Sequence, residues 1–210
     1  MDHPIDFFKP RPYRSLADLE AMKRLLSDGI QANGPGFYVH PGDIQWWLFY
    51  PPIGEDLMAH TWLWDDPAQA GQILAWMLVD PSWPSFELFV QPALFGSDLH
   101  TQMYLWAEGE ALHLCRDDAK DLNKLWIAEG DSFQRAHLES RGYVETVADM
   151  FFVRSLAAPL PSLEVPGWTV RRCRGAGEVQ PRARAQYGAF ESTRPMEVYV
   201  QRFLRCMQSE

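Results

Sequence analysis

The sequence predicts an α/β protein, a mixed central sheet with helices on both faces. Three observations predict it. Segments with apolar residues at helical spacing alternate along the chain with short apolar runs bounded by Gly, Pro and Asp. The 210 residues are 47% hydrophobic and include nine Trp and twelve Phe, ample for a core between a sheet and its helices. Finally, "ELFVQPALFGSDLHTQMYLW" (Glu87 to Trp106) reads as a buried strand passing through a short loop into a helix.

Taken in order, residues 5–14 form a first strand. "SLADLEAMKRLLSDGIQA" follows as an amphipathic helix, with Ser15 as N-cap, Leu16, Leu19, Met22, Leu25 and Leu26 at helical spacing, and Gly29 at its exit. "GDIQWWLFY" is a second short helix before Pro51-Pro52. "DLMAHTWLWD" and "GQILAWMLVD" make a hairpin-like pair of strands joined by "DPAQA". The strand at about 85–91 and the helix from about 97 to 113 come next. "LNKLWIAEGD" is a further strand, "SFQRAHLESRGY" a helix closing at Gly142, and "ETVADMFFVRSL" a last strand. These elements make one unit over residues 1–156, and the three prolines of "AAPLPSLEVPG" (157–167) mark a linker.

No apolar run approaches the roughly 20 residues of a membrane span, and "MDHPIDFFKPRPYR" lacks the layout of a signal peptide. Three widely spaced cysteines, Cys115, Cys173 and Cys206, fit reduced thiols in the cytoplasm. A net charge of −9 argues against nucleic acid as a partner. That charge is uneven: residues 1–167 carry −13 and residues 168–210 carry +4. A basic tail behind an acidic body can dock on that body or on a neighbouring copy, giving a homodimer through 168–210, and plain solvated charge would look the same.

After the linker the chain starts again. "KPRPYRSLADLE" (9–20) and "TVRRCRGAGEVQ" (169–180) align without gaps at an offset of 160. Arg11 matches Arg171, Arg14 matches Arg174, Asp18 is echoed by Glu178 and Leu19 by Val179. "MEVYVQRFLRCMQ" is the second copy's next helix. Half a unit cannot cover its own apolar face and must pack on something.

The element order, the strand–loop–helix after the third sheet strand, and the "LESRGY" helix end together resemble the GNAT N-acetyltransferases. The resemblance covers residues 5–154. With the repeat at 168–207, it is most similar to the tandem arrangement of the mycothiol-synthase-like proteins. It implies transfer of an acetyl group from acetyl-CoA to an amine of a small molecule or peptide, with the pyrophosphate held by backbone N–H groups where the loop enters its helix. The family's loop follows a Val-His-Pro-like strand end and reads Arg/Gln-x-x-Gly-x-Gly/Ala.

Set on that pattern, Val90, Gln91 and Pro92 end the strand, and Phe95, Gly96, Ser97 and Asp98 occupy the cofactor loop. Phe95 stands at the Arg/Gln position, Asp98 at the first Gly and His100 at the last Gly/Ala. A side chain at a glycine position blocks the backbone's approach to phosphate. A carboxylate at Asp98 would repel a pyrophosphate by on the order of a kcal/mol or more, yet it would serve as a helix cap. Acetyl-CoA binding by this unit is therefore in doubt.

Many family members carry a proton-donating Tyr four residues before the helix-ending Gly; here that position is Leu138, which cannot donate, and Tyr143 falls at a core position. Glu87 is the candidate general base: Phe86, Leu88 and Val90 face one side of the strand and Glu87 the other, toward cleft or solvent. Glu129 and Asp131 read as a capping pair for the next helix. His113 and Cys115 lack a second pair at metal-binding spacing, so no metal is expected. Neither G-x-S-x-G nor a P-loop motif occurs. Trp46, Trp47, Trp62, Trp64, Trp76, Trp83 and Trp106 fall where the family borders its acceptor cleft, or simply fill the core. Two functions are thus expected: an N-acetyltransferase whose active half is the second repeat, or an inactive fold of the same kind used for binding or dimerisation.

Overall fold

Ser15 opens the first helix by accepting a hydrogen bond from the Ala17 N–H at 3.3 Å, with Asp18 in the first turn where the helix dipole favours a negative charge. In the computed structural model, which describes residues 9–50, 56–115, 121–146, 157, 166–167, 169, 171 and 173–208, this helix is α1 (Leu16–Asn33). It ends at Gly34 (φ +94°), not at Gly29. Gly29 is interior because the Tyr38 ring lies against it where a Cβ would be. Helix α2 (Pro41–Phe49) is capped reciprocally: the Gly42 N–H donates to His40 Nδ1 and the His40 N–H to Asp43, each at 3.1 Å.

The sheet has the order β1-β2-β3-β4-β5, with β1 (Arg11–Pro12), β2 (Thr61–Asp65), β3 (Ile73–Asp80), β4 (Ser85–Val90) and β5 (Asn123–Lys124). All neighbours are antiparallel except β4 and β5, which run parallel. The remaining helices are α3 (Asp98–Leu114), α4 (Ser132–Ser140), α5 (Val179–Ala189) and α6 (Met196–Gln208). This is the expected mixed sheet between two helical layers. Ile73, Trp76, Leu78 and Phe89 face α1 and α2, while Ala75, Met77, Val79, Phe86, Leu88 and Val90 face α3 and Leu138 of α4. A bulge at Leu74 lets Ile73 and Trp76, three residues apart, share one face.

Three strands are shorter than expected. Of the first, residues 5–8 lie outside the described residues and pairing is confined to Arg11 and Pro12. The first half of "DLMAHTWLWD" is a 3₁₀ turn (Leu57–His60), because the Asp56 side chain accepts from the Met58 N–H and starts a turn instead. The strand expected in "LNKLWIAEGD" stops after Lys124, since the Glu87 carboxylate takes the N–H groups of Leu125 and Trp126. The last expected strand and most of the linker fall on residues outside those described.

The sequence echo at an offset of 160 has a counterpart in the bonding. Arg11 donates from Nη1 and Nη2 to the two oxygens of Asp18 (2.9 and 2.7 Å), and the Arg14 N–H donates to the same carboxylate (2.7 Å). Arg171 donates from Nη1 and Nη2 to the two oxygens of Glu178 (2.8 and 2.6 Å), and the Arg174 N–H donates to that carboxylate (2.7 Å). Each carboxylate sits at the start of a helix and ties the incoming chain to it. The first clasp also takes in a strand: Arg11 donates to Asp65 of β2 at 2.6 and 2.8 Å.

Helices α5 and α6 pack on each other through Val179, Ala183, Tyr199 and Phe203, and then on α2. Trp46 and Tyr50 stack with centroids 3.5 Å apart, and Phe203 lies 5.7 Å from Tyr50. The Arg202 guanidinium stands 4.9 Å from the Tyr50 ring, Arg182 stands 4.5 Å from Phe203, and Gln186 donates to the Tyr50 hydroxyl at 2.8 Å. The basic segment therefore docks on its own body, through aromatic and cation–π contacts.

Candidate functional site

Strand β4 is buried along its whole length and delivers the chain to the loop that enters α3. Past Phe86, β4 and β5 separate, and Glu87 fills the gap. Its carboxylate accepts from Lys124 Nζ at 2.6 Å and from the Leu125 and Trp126 N–H groups at 2.9 Å each. Glu87 does face the side opposite Phe86, Leu88 and Val90, but that side is core: the residue is 3% exposed. Lys124 also donates to the Trp126 carbonyl at 2.6 Å, so the pair is a buried tie between two strands, with Lys124 Nζ 5.6 Å from the Phe89 ring.

Beyond Val90 the chain is held at every step. The Gln91 N–H donates to the Leu74 carbonyl (2.9 Å) and its side chain to the Ile73 carbonyl (2.9 Å). The Val90 carbonyl accepts from the Tyr38 hydroxyl at 3.0 Å. Pro92–Leu94 make one 3₁₀ turn, and Gly96 adopts φ +71°, a conformation that favours glycine. Ser97, not Asp98, caps α3, its hydroxyl accepting from the His100 N–H at 3.3 Å. Asp98 is the first helical residue and is exposed.

Several of the loop's donors turn inward. The Gly96 N–H donates to His100 Nδ1 (3.2 Å), the Ser97 N–H to the Leu94 carbonyl (3.1 Å), and the His100 N–H to Ser97. Phe95 packs its ring against Phe37 (6.1 Å), Tyr38 (5.9 Å) and His100 (5.4 Å). A phosphate would have to displace these bonds and approach the Asp98 carboxylate.

Below the loop lies a buried polar chain on α3 and α4. The Tyr104 hydroxyl donates to Gln134, whose side chain donates to Asp131 at 2.6 Å, and Asp131 caps α4 by accepting from the Gln134 N–H at 2.9 Å. Glu129 takes no part in that cap. His100 is 1% exposed, and burial, then the charges of Lys124 and His137, lower its pKa from 6.5 to about 4. It is a neutral acceptor at Nδ1 under ordinary conditions. Burial first, then Asp131 and Glu87, push the Tyr104 hydroxyl well above the usual tyrosine value.

The structure thus brings Val90, Phe95, Gly96, Ser97 and Asp98 together at one strand–helix junction, with Glu87 beneath it and enclosed. Sequence reasoning missed Lys124, Tyr38 and Phe133. Lys124 carried a signal, being the lone cation of an otherwise apolar strand segment. Leu138 and Tyr143 pack against the core, as do Trp64 and Trp76, whereas Trp83 is exposed and Trp46 meets α6. Among the described residues no group of three or more His, Cys, Asp or Glu could hold a metal, and no helix is long and apolar enough to cross a membrane.

Compared with known proteins, the chain matches no family model and no curated protein. It is similar to the crystal structure of a GCN5-related N-acetyltransferase from Sphaerobacter thermophilus, at 22% identity and a TM-score of 0.48. That similarity covers 98% of this chain and 64% of the other, so the chain spans less than two thirds of the solved protein's length. The architecture itself is an α/β fold, a five-stranded mixed sheet between helical layers.

Proposed function

We propose that residues 1–156 are a GNAT-type unit with a closed acetyl-CoA loop, acting as the scaffold for a second unit of the same kind that opens at 168. Acetyl transfer from acetyl-CoA to a primary amine belongs, on this reading, to that second unit. The observation that carries the closed loop is the Gly96 N–H committed to His100 Nδ1. A backbone donor already bonded inside the protein gains little by turning to a phosphate. The clasp of Arg171 and Arg174 on Glu178, built like that of Arg11 and Arg14 on Asp18, supports the second unit. Three cysteines, odd in number and widely spaced (Cys115, Cys173 and Cys206), favour a cytoplasmic setting.

Glu87 is a structural tie in this account rather than a base. A base must reach the proton it removes, and this carboxylate is enclosed by Lys124 and two backbone donors. The test is a thiol-release assay of the 210-residue chain with acetyl-CoA and a panel of small primary amines. No release above the blank is expected. Turnover that disappears in Glu87→Gln, with the variant still folded, would return catalysis to the first unit.

The alternative, an inactive fold used for binding, shares the closed loop and differs only in what 168–208 does. The docking of α6 on Trp46 and Tyr50 favours it to this extent: an aromatic surface of α2 is already occupied by the chain's own C-terminal segment.

A further inference from the structure

Tyr199, Arg202 and Phe203 stand three and four residues apart on α6, so helical spacing sets all three on one face. That face packs on α5 and α2 and is buried, the arginine included, at 6% exposure. Its surroundings are rings. The guanidinium carbon lies 4.9 Å from the Tyr50 ring and 6.0 Å from the Tyr199 ring, and Trp46 backs Tyr50. Arg202 Nε is covered and has no acceptor.

Among the described residues four charged side chains are buried: Asp18, Glu87, Asp131 and Arg202. Three of them are matched. Asp18 takes Arg11 and the Arg14 N–H, Glu87 takes Lys124 and two backbone N–H groups, and Asp131 takes the Gln134 N–H and side-chain amide. Arg202 meets rings and, among the described residues, no oxygen. A ring attracts a cation through its face but leaves the N–H donors in the guanidinium plane unused. A buried charge without hydrogen bonds is costly, and the missing element is an acceptor of opposite sign.

We propose that the junction of α2, α5 and α6 binds a small oxyanion, a carboxylate or phosphate group, on the Arg202 guanidinium. The fork of parallel N–H groups matches two oxygens of one such group, whereas chloride offers a single point of contact. Size follows from exposure: with Nε covered, only the Nη end of the side chain reaches the surface. Charge favours the same occupant. Residues 168–210 carry +4 in a chain of −9, so an anion meets a positive segment there. Arg182, 4.5 Å from the Phe203 ring, adds a second cation to the same aromatic cluster. The site is separate from the loop at 95–100 and from acetyl-CoA.

Arginine side-chain NMR of the isotope-labelled full chain tests it. The chain is titrated with inorganic phosphate and, separately, with acetate, chloride holding the ionic strength constant. The Arg202 Nε–H signal, identified by its loss in Arg202→Lys, is expected to shift and to saturate in the millimolar range with at least one of the two. The anion that saturates at lower concentration names the group the site prefers. Arg202→Met gives a second readout. Removing a buried charge that lacks a partner should leave the chain as stable in chloride as before, or more so. Phosphate should then raise the melting temperature of the native chain by more than that of the variant, which shows only the general salt effect. A signal that does not move, or moves in proportion to added anion without saturating, would overturn the proposal. So would equal protection of Arg202→Met by phosphate. A marked loss of stability in Arg202→Met in chloride would also overturn it, since the rings alone would then satisfy the guanidinium.

Discussion

Gly96 and His100 face each other across the turn into α3, the glycine N–H donating to the imidazole Nδ1 at 3.2 Å. One hydrogen bond thereby closes the loop and fixes the histidine as a neutral acceptor. His100 lies at the position where the resembling family keeps Gly or Ala, and its ring is wedged between Phe95 (5.4 Å) and Phe133 (5.0 Å).

This histidine predicts a pH dependence. Its pKa in the folded chain is lowered, first by burial, from 6.5 to about 4. The folded state therefore disfavours the extra proton that the unfolded state accepts. The stability from the neutral form is fully present above about pH 6.5 and is lost progressively as pH falls toward 4, in total on the order of 3 kcal/mol. Unfolding by urea between pH 7.5 and 4 should show that slope, and His100→Phe should flatten it. An unchanged slope in the variant would assign the dependence to other groups.

Glu87 and Lys124 predict an asymmetry between single and double variants. Glu87→Gln leaves an ammonium unpaired whose side chain is 1% exposed, at a cost of about 3–5 kcal/mol. Replacing both, as Glu87→Gln with Lys124→Met, should recover a substantial part of that loss. Denaturant midpoints of the two singles and the double measure it. Equal additivity would mean the pair is not coupled.

The docking of α5 and α6 predicts a local release. Tyr50→Ala removes the ring beneath Arg202 and Phe203 and the acceptor of Gln186, costing about 2–3 kcal/mol. Hydrogen exchange should accelerate in α5 and α6 while α1, β3 and α3 keep their protection. Uniform acceleration along the chain would show instead that the segment folds as one unit with the body.

The elements legible in the sequence were those with strong local signals. α1 follows from Ser15 and the Leu19–Leu26 spacing, and β3 and β4 from their apolar runs; the match of Arg11, Arg14 and Asp18 with Arg171, Arg174 and Glu178 was legible as a sequence echo, but not as a pair of clasps. What was not legible depends on contacts between distant residues. β5 is cut short by a carboxylate 38 positions away at Glu87. Gly29 looked like a helix end because its partner, the Tyr38 ring, comes from the following loop. The site was half legible: Phe95, Asp98 and His100 were read as obstacles at the family's positions, but the bond from Gly96 to His100 was not foreseen. Nor could alternation along β4 reveal that the side facing Glu87 is filled.

The central claim is that the loop at 95–100 is closed to pyrophosphate, and calorimetric titration of the 210-residue chain with acetyl-CoA, beside free CoA, tests it most directly. No heat of binding up to millimolar ligand is the predicted result, for both. Micromolar binding of either would contradict it: the Gly96 and His100 amides would then have to leave their internal partners, and the first unit would stand as an acetyl-CoA site.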